Sequence, residues 1–130
     1  MSDPETFRKE REQEIAAMVA DPALRVVGNR FLNDAGKARY AYHFDWLGLP
    51  IIQFPQDMVA IQEIIWKTRP EVIVETGVAR GGSLVLSASI LHLLSGNGIV
   101  VGVDVDIRAH NRAAIEAHPL ASRIRLVEGS

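Results

Sequence analysis

Cysteine is absent from the 130 residues, which removes disulfides and thiol chemistry from consideration and is what a chain kept in the cytoplasm would show. No apolar run approaches the roughly 18 residues of a membrane span. The opening Met1-Ser2-Asp3-Pro4-Glu5 is acidic and polar where a secretory leader would be basic and then apolar. Charge of one sign is lacking too: 14 basic side chains face 16 acidic ones, for a formal charge of −2. A nucleic-acid partner needs a basic stripe to neutralise phosphates, and there is none. With 48% hydrophobic and 23% charged residues, the composition is that of a globular protein and excludes a disordered tail. A chain of this length buries about two-thirds of its surface, enough for one core. One domain, or a piece of one, is the bound.

The charged stretch 3–19 spaces Phe7, Ile15, Met18 and Val19 sparsely among Arg8, Lys9, Glu10, Arg11, Glu12 and Glu14, which predicts a surface helix. Ser2 with Glu5 has the spacing of a capping box, and Pro4 suits the first turn. Residues 21–50 read as irregular, because Asp21-Pro22, Gly28-Asn29, Asp34-Ala35-Gly36 and Gly48-Leu49-Pro50 are turn signals. Within them lies an aromatic cluster of Tyr40, Tyr42, His43, Phe44 and Trp46. These divide the chain into an N-terminal helix with an irregular lid or substrate segment, 1–50, and a regular part, 51–130. Met58, Ile61, Ile64 and Ile65 predict a helix from Pro55 that Arg69-Pro70 stops.

The regular part alternates strands and helices. Residues 71–76 form a β-branched run, Gly77–Gly82 a glycine-rich turn, and Ser83–Ser95 a helix apolar on most sides. Ile99–Val103 is a second strand ending at Asp104. Asp106 is placed to cap a helix over 107–117, and Arg123–Val127 alternates as a half-exposed strand. This β-α-β-α-β order implies an α/β fold with right-handed crossovers and a parallel sheet.

Ligands of open parallel sheets bind beyond the carboxyl ends of the strands, where Glu75-Thr76-Gly77-Val78-Ala79-Arg80-Gly81-Gly82-Ser83 would lie. The glycine spacing does not match a dinucleotide fingerprint, and Ser83 stands where a phosphate loop needs lysine. Gly77 allows a sharp exit from the strand. Gly81 and Gly82 leave room for a ligand at a helix N-terminus that favours anions. Glu75 can attract a cation, Ser83 and the glycine backbone can meet a carboxylate, and Asp104 can accept from ribose hydroxyls. An ammonium, a carboxylate and a ribose together describe S-adenosylmethionine. Local readings stand beside these. Glu75 can cap or pair locally, and Arg80 can face substrate or solvent. His110, Asn111 and Arg108 fall on a helix face that is normally solvated, and His92 and His118 read as surface residues. The aromatic cluster serves as core or lid packing, with substrate stacking as the alternative, and Tyr42, His43 and Trp46 are the candidates for a lid over the site or for substrate contact. No His/Asp/Glu spacing in the chain makes an autonomous zinc site.

The blocks Trp46–Asp57, Pro70–Ser83, Val101–Pro119 and Arg123–Ser130, in this order, resemble the cephalosporin hydroxylase / rhamnosyl O-methyltransferase family of S-adenosylmethionine-dependent methyltransferases over about residues 40–130. The resemblance implies a Rossmann-like class I methyltransferase fold of which the N-terminal half is present. It implies that Glu75, Gly77, Gly81, Gly82 and Ser83 line the methionine end of the cofactor, that Asp104 holds the ribose, and that Gly129-Ser130 begin the adenine-side loop. It also implies a magnesium ion and methylation of a hydroxyl on a sugar or antibiotic-like natural product. The family's metal-binding carboxylates and general base lie beyond the third strand and have no counterpart in these residues. The catalytic residues are therefore unassigned, and Val72, Ile73 and Val74 would form an apolar sheet edge. A missing C-terminal half, another chain or another copy is expected to complete the sheet, with a small molecule as substrate. A non-catalytic cofactor- or partner-binding module and a nicotinamide-dependent oxidoreductase are the competing functions.

Overall fold

The computed structural model describes residues 3–129, in two compact units that divide between Ala38 and Arg39. The first unit holds two helices, α1 (Pro4–Ala20) and α2 (Pro22–Lys37). Asp3 caps α1, its carboxylate accepting the N–H groups of Glu5 at 3.0 Å and Thr6 at 3.1 Å. The cap is thus Asp3 rather than Ser2, which lies outside the described residues. Where turn signals suggested irregular chain, α2 runs unbroken. Asp21 closes α1 through its N–H and opens α2 by accepting from Ala23 at 2.8 Å and Leu24 at 3.3 Å, with Pro22 in the first helical position. That cap and proline outweigh Gly28 and Gly36, each of which costs an exposed helix only about 1 kcal/mol. Neither helix has a buried residue.

The second unit begins with Arg39 in the left-handed region, followed by a 3-10 turn at Tyr40–Tyr42. An antiparallel hairpin comes next, β1 (Phe44–Trp46) with β2 (Leu49–Ile51), paired Phe44↔Ile51 and Trp46↔Leu49. Its two connecting residues, Leu47 and Gly48, both have positive φ, as tight hairpins of right-handed twist require. Helix α3 (Pro55–Thr68) stops at Arg69 in the left-handed region, one residue before Pro70. Then come β3 (Val72–Thr76), α4 (Gly82–Leu93), β4 (Ile99–Asp104), α5 (Ala109–Glu116), a 3-10 turn and β5 (Ile124–Glu128). The sheet is parallel in the order β3-β4-β5. Asp106 does not cap α5. Arg108 occupies the cap position, and the Asp106 N–H donates to Asp104 Oδ1 at 3.3 Å.

Helix α4 is the centre of the core, which explains why its sequence is apolar all round. Leu84, Val85, Leu86, Ala88, Ile90 and Leu91 are all buried. Helix and sheet meet closely, because a Cβ on Gly102 would lie 2.7 Å from Leu84 Cδ1. The register puts Ile73, Val100 and Ile124 in one row, and Glu75, Gly102 and Leu126 in the next. Both rows face α4, and Ile115 of α5 lines a hollow with Ile124 and Leu126 on that same side. The opposite face carries Val72, Val74 and Val127, which are 53%, 64% and 48% exposed. The sheet therefore has helices on one face and bare valines on the other.

Candidate active site at the glycine turn

A small pocket of about 120 Å³ opens at the carboxyl end of β3. Its floor is the glycine turn with Glu75 and Ser83, and its wall is Pro50, Ile52 and Gln53 from the chain leaving β2. Glu75, Gly77, Gly81, Gly82 and Ser83 are thus brought together. The Ser83 hydroxyl donates a short hydrogen bond to the Glu75 carboxylate. Burial raises the pKa of Glu75, and the Ser83 bond offsets only part of that rise. A desolvated carboxylate with a single hydroxyl partner favours a cation beside it.

The three glycines do different work. Gly77 has φ +87° and nothing within 4 Å of where a Cβ would stand, so it supplies both the left-handed turn and open room. Gly81 is also left-handed, but a Cβ there would run into the side chain of Ile115, 2.5 Å from its Cδ1. At Gly82 the Cβ would strike the Pro50 carbonyl and lie 2.8 Å from Ile51 Cα. Sequence reading left these last two glycines as space for a ligand. In the structure the Cβ side of both is occupied by protein while their backbone still lines the pocket, and the open Cβ side is at Gly77.

Asp104, at the end of β4, turns its carboxylate onto the same turn. Its Oδ2 accepts the Val78 N–H at 2.8 Å and its Oδ1 accepts from Asp106. Those backbone donors, Val78 first, hold its pKa below the usual aspartate value. Gly129 follows β5 and donates its N–H to the Asp104 carbonyl at 3.0 Å, so it lies beside Asp104. Ser130 is outside the described residues. Asn111, read from the sequence as a solvated helix residue, instead donates from Nδ2 to the Ala79 carbonyl at 2.8 Å and ties α5 to the turn.

The aromatic candidates do not line this pocket. Tyr42 is exposed under the Arg39 guanidinium, 4.4 Å from its ring centroid. His43 meets Tyr40 edge-on, and Trp46 lies along α4 with its Nε1–H donating to Ser89 Oγ at 3.1 Å. Trp46 also lines a separate groove with Leu47, His92, Leu93, His118 and Leu120. The pocket residue that sequence reading missed is Gln53. It falls within the Trp46–Asp57 block, yet a lone polar residue in a loop carries no periodic signal.

Among the described residues, no group of three His, Cys, Asp or Glu side chains could hold a metal ion. Nor is any helix there long and apolar enough to cross a membrane.

Among solved structures, this chain is similar to one titled "cmcI-N160 SAH", at 27% identity and a TM-score of 0.52 over 67% of this chain and 43% of that one. It is also similar to "CmcI-N160 apo-structure" and "cmcI-D160 Mg-SAM", each at 26% identity and a TM-score of 0.54 over 68% of this chain. Of those two solved chains it spans 36% and 37%, so the match covers about two-fifths or less of their length. Curated protein sequences yield no significant match. Residues 38–130 match the family described as rhamnosyl O-methyltransferase/CmcI, and since that is more than half of its residues, the chain belongs to the rhamnosyl O-methyltransferase/CmcI family.

Proposed function

We propose that the glycine-turn pocket binds S-adenosylmethionine, and that this chain supplies the cofactor-binding part of a methyltransferase acting on a hydroxyl of a sugar or antibiotic-like small molecule. The observation that carries the reading is the half-buried Glu75 carboxylate beside the open side of Gly77, at the carboxyl end of a parallel strand. Support comes from the solved relatives, whose titles name SAH and Mg-SAM. When bound, S-adenosylmethionine supplies a methyl group activated on sulfur. The residues of this chain hold and orient it. Glu75 faces the ammonium, the turn at Gly77 gives backbone access, and Asp104 stands at the neighbouring strand end for the ribose. Gly129 extends the same rim. Orientation of this kind converts binding into rate by fixing donor and acceptor in a reactive geometry.

Magnesium does not fit the described residues, which offer no set of three ligands. No step through a metal is therefore assigned to them. That observation favours a second reading in which these residues bind cofactor without turning it over, acceptor chemistry being supplied by further chain or by a partner.

Calorimetric titration with S-adenosylhomocysteine and, separately, NADH tests the proposal. Binding of the first that is lost in Glu75→Ala and weakened in Asp104→Ala is the expected result. Preferential binding of NADH would replace the reading with a nicotinamide-dependent one. Methyl transfer by the chain to a hydroxylated acceptor would eliminate the non-catalytic reading.

A further inference from the structure

We propose that Gln53 is the second acceptor for the ligand's ammonium group, sharing it with Glu75; this rests on the cofactor reading above. Gln53 lines the pocket together with Glu75, Gly77 and Ser83. Its Oε1 is buried without a hydrogen-bond partner, the only side-chain atom in that state among the described residues. Buried carbonyl oxygens are almost always satisfied, and leaving one unpaired is costly.

Four donors of the pocket floor are already used. The Ser83 hydroxyl goes to Glu75, the Gly77 N–H to the Val103 carbonyl at 2.8 Å, the Val78 N–H to Asp104, and the Gly81 N–H to the Val78 carbonyl at 2.9 Å. None of these four is free to serve the Gln53 oxygen, and a ligand entering the pocket can bring the donor. A primary ammonium carries three N–H groups and no acceptor, so it requires more than one oxygen around it. Glu75 provides the charge, and the Gln53 side-chain carbonyl, lining the same pocket, provides a neutral acceptor without adding a second desolvated charge. The same oxygen discriminates against ligands that lack the amine, because they leave it unpaired.

The test compares the chain with Gln53→Met, which keeps the length of the side chain and removes the acceptor. Each is titrated with S-adenosylhomocysteine and with its desamino analogue, which keeps the carboxylate and lacks the ammonium. The expected result is about tenfold weaker binding of S-adenosylhomocysteine, the scale of one hydrogen bond to a charged group, with the desamino analogue unaffected. The urea midpoint of ligand-free Gln53→Met should equal or exceed that of the parent, since a buried unpaired acceptor is gone. Equal weakening of both ligands, as expected if water or Arg80 serves the oxygen, would overturn the inference. So would unchanged binding of S-adenosylhomocysteine, while leaving the cofactor reading intact. Failure of the parent chain to bind S-adenosylhomocysteine at all would remove both.

Discussion

Glu75 and Asp104 end neighbouring strands, and their surroundings move their protonation in opposite directions. Burial lifts Glu75 above the ordinary glutamate value of 4.5. From that value up to its own higher pKa, the folded chain retains a proton that the unfolded chain has released, so stability falls as pH rises through the interval. Glu75→Gln removes this cost and keeps an acceptor for Ser83. Its urea midpoint, relative to the parent, should climb as the pH is raised from about 4.5 through the raised Glu75 pKa and then level off. Asp104, held below the ordinary 3.8 by backbone donors, contributes stability that is present above that value and lost as pH falls through its lowered pKa. The glycines separate just as cleanly. Gly82→Ala forces a methyl group into the Pro50 backbone and should cost about 1–3 kcal/mol by overpacking. Gly77→Ala meets no atom and should cost about 1–2 kcal/mol from its left-handed φ alone. Denaturant titration of the two variants measures both. Weaker ligand binding in a folded Gly77→Ala would be the sign that its open side is used.

At the scale of elements, the caps decide what turn-forming residues do. Asp21→Ala removes the acceptor for two N–H groups of α2 and should cost about 1 kcal/mol, read as faster hydrogen exchange of the amides between residues 23 and 37. The strands and the glycine turn were legible in the sequence because their signals are local: β-branched runs at 72–76 and 99–103, and glycines directly after the first of them. Helix α2 is hidden in the sequence because Gly28-Asn29 and Gly36 signal breaks, and Asp21-Pro22 signals a turn as readily as the helix start it is. The Asp106 assignment failed for a related reason, since Asp104 Oδ1 engages the Asp106 N–H and the helix begins only at Ala109. The reasons for Gly81 and Gly82 lie 34 and 32 residues away, at Ile115 and Pro50, and no local pattern reports such distances. Trp46 is another long-range case. Its bond to Ser89 seats the hairpin on α4, and Trp46→Phe should lose about 1 kcal/mol, measurable by thermal or urea unfolding.

For the molecule as a whole, the register of the sheet has a direct energetic meaning. Crossovers β3-α4-β4 and β4-α5-β5 run in the same direction, so α4 and α5 fall on one face, and Val72, Val74 and Val127 on the other remain in solvent. Val72, Ile73 and Val74 already predict an apolar edge at β3, and the exposed valines make the face beside it apolar as well. Such a patch binds apolar dyes and promotes association. The double variant Val74→Lys, Val127→Lys should reduce dye fluorescence and the apparent mass by light scattering without lowering the urea midpoint, since neither residue is buried. The glycine turn carries a different whole-molecule consequence. It is held by Pro50 from the hairpin, Asp104 from β4 and Asn111 from α5, three segments spread over most of the second unit. A synthetic peptide with the full motif from Glu71 to Ser95 would therefore carry the signature without the cavity. The entropy of shaping the pocket is met once, when the unit folds, and an incoming ligand finds that ordering already done.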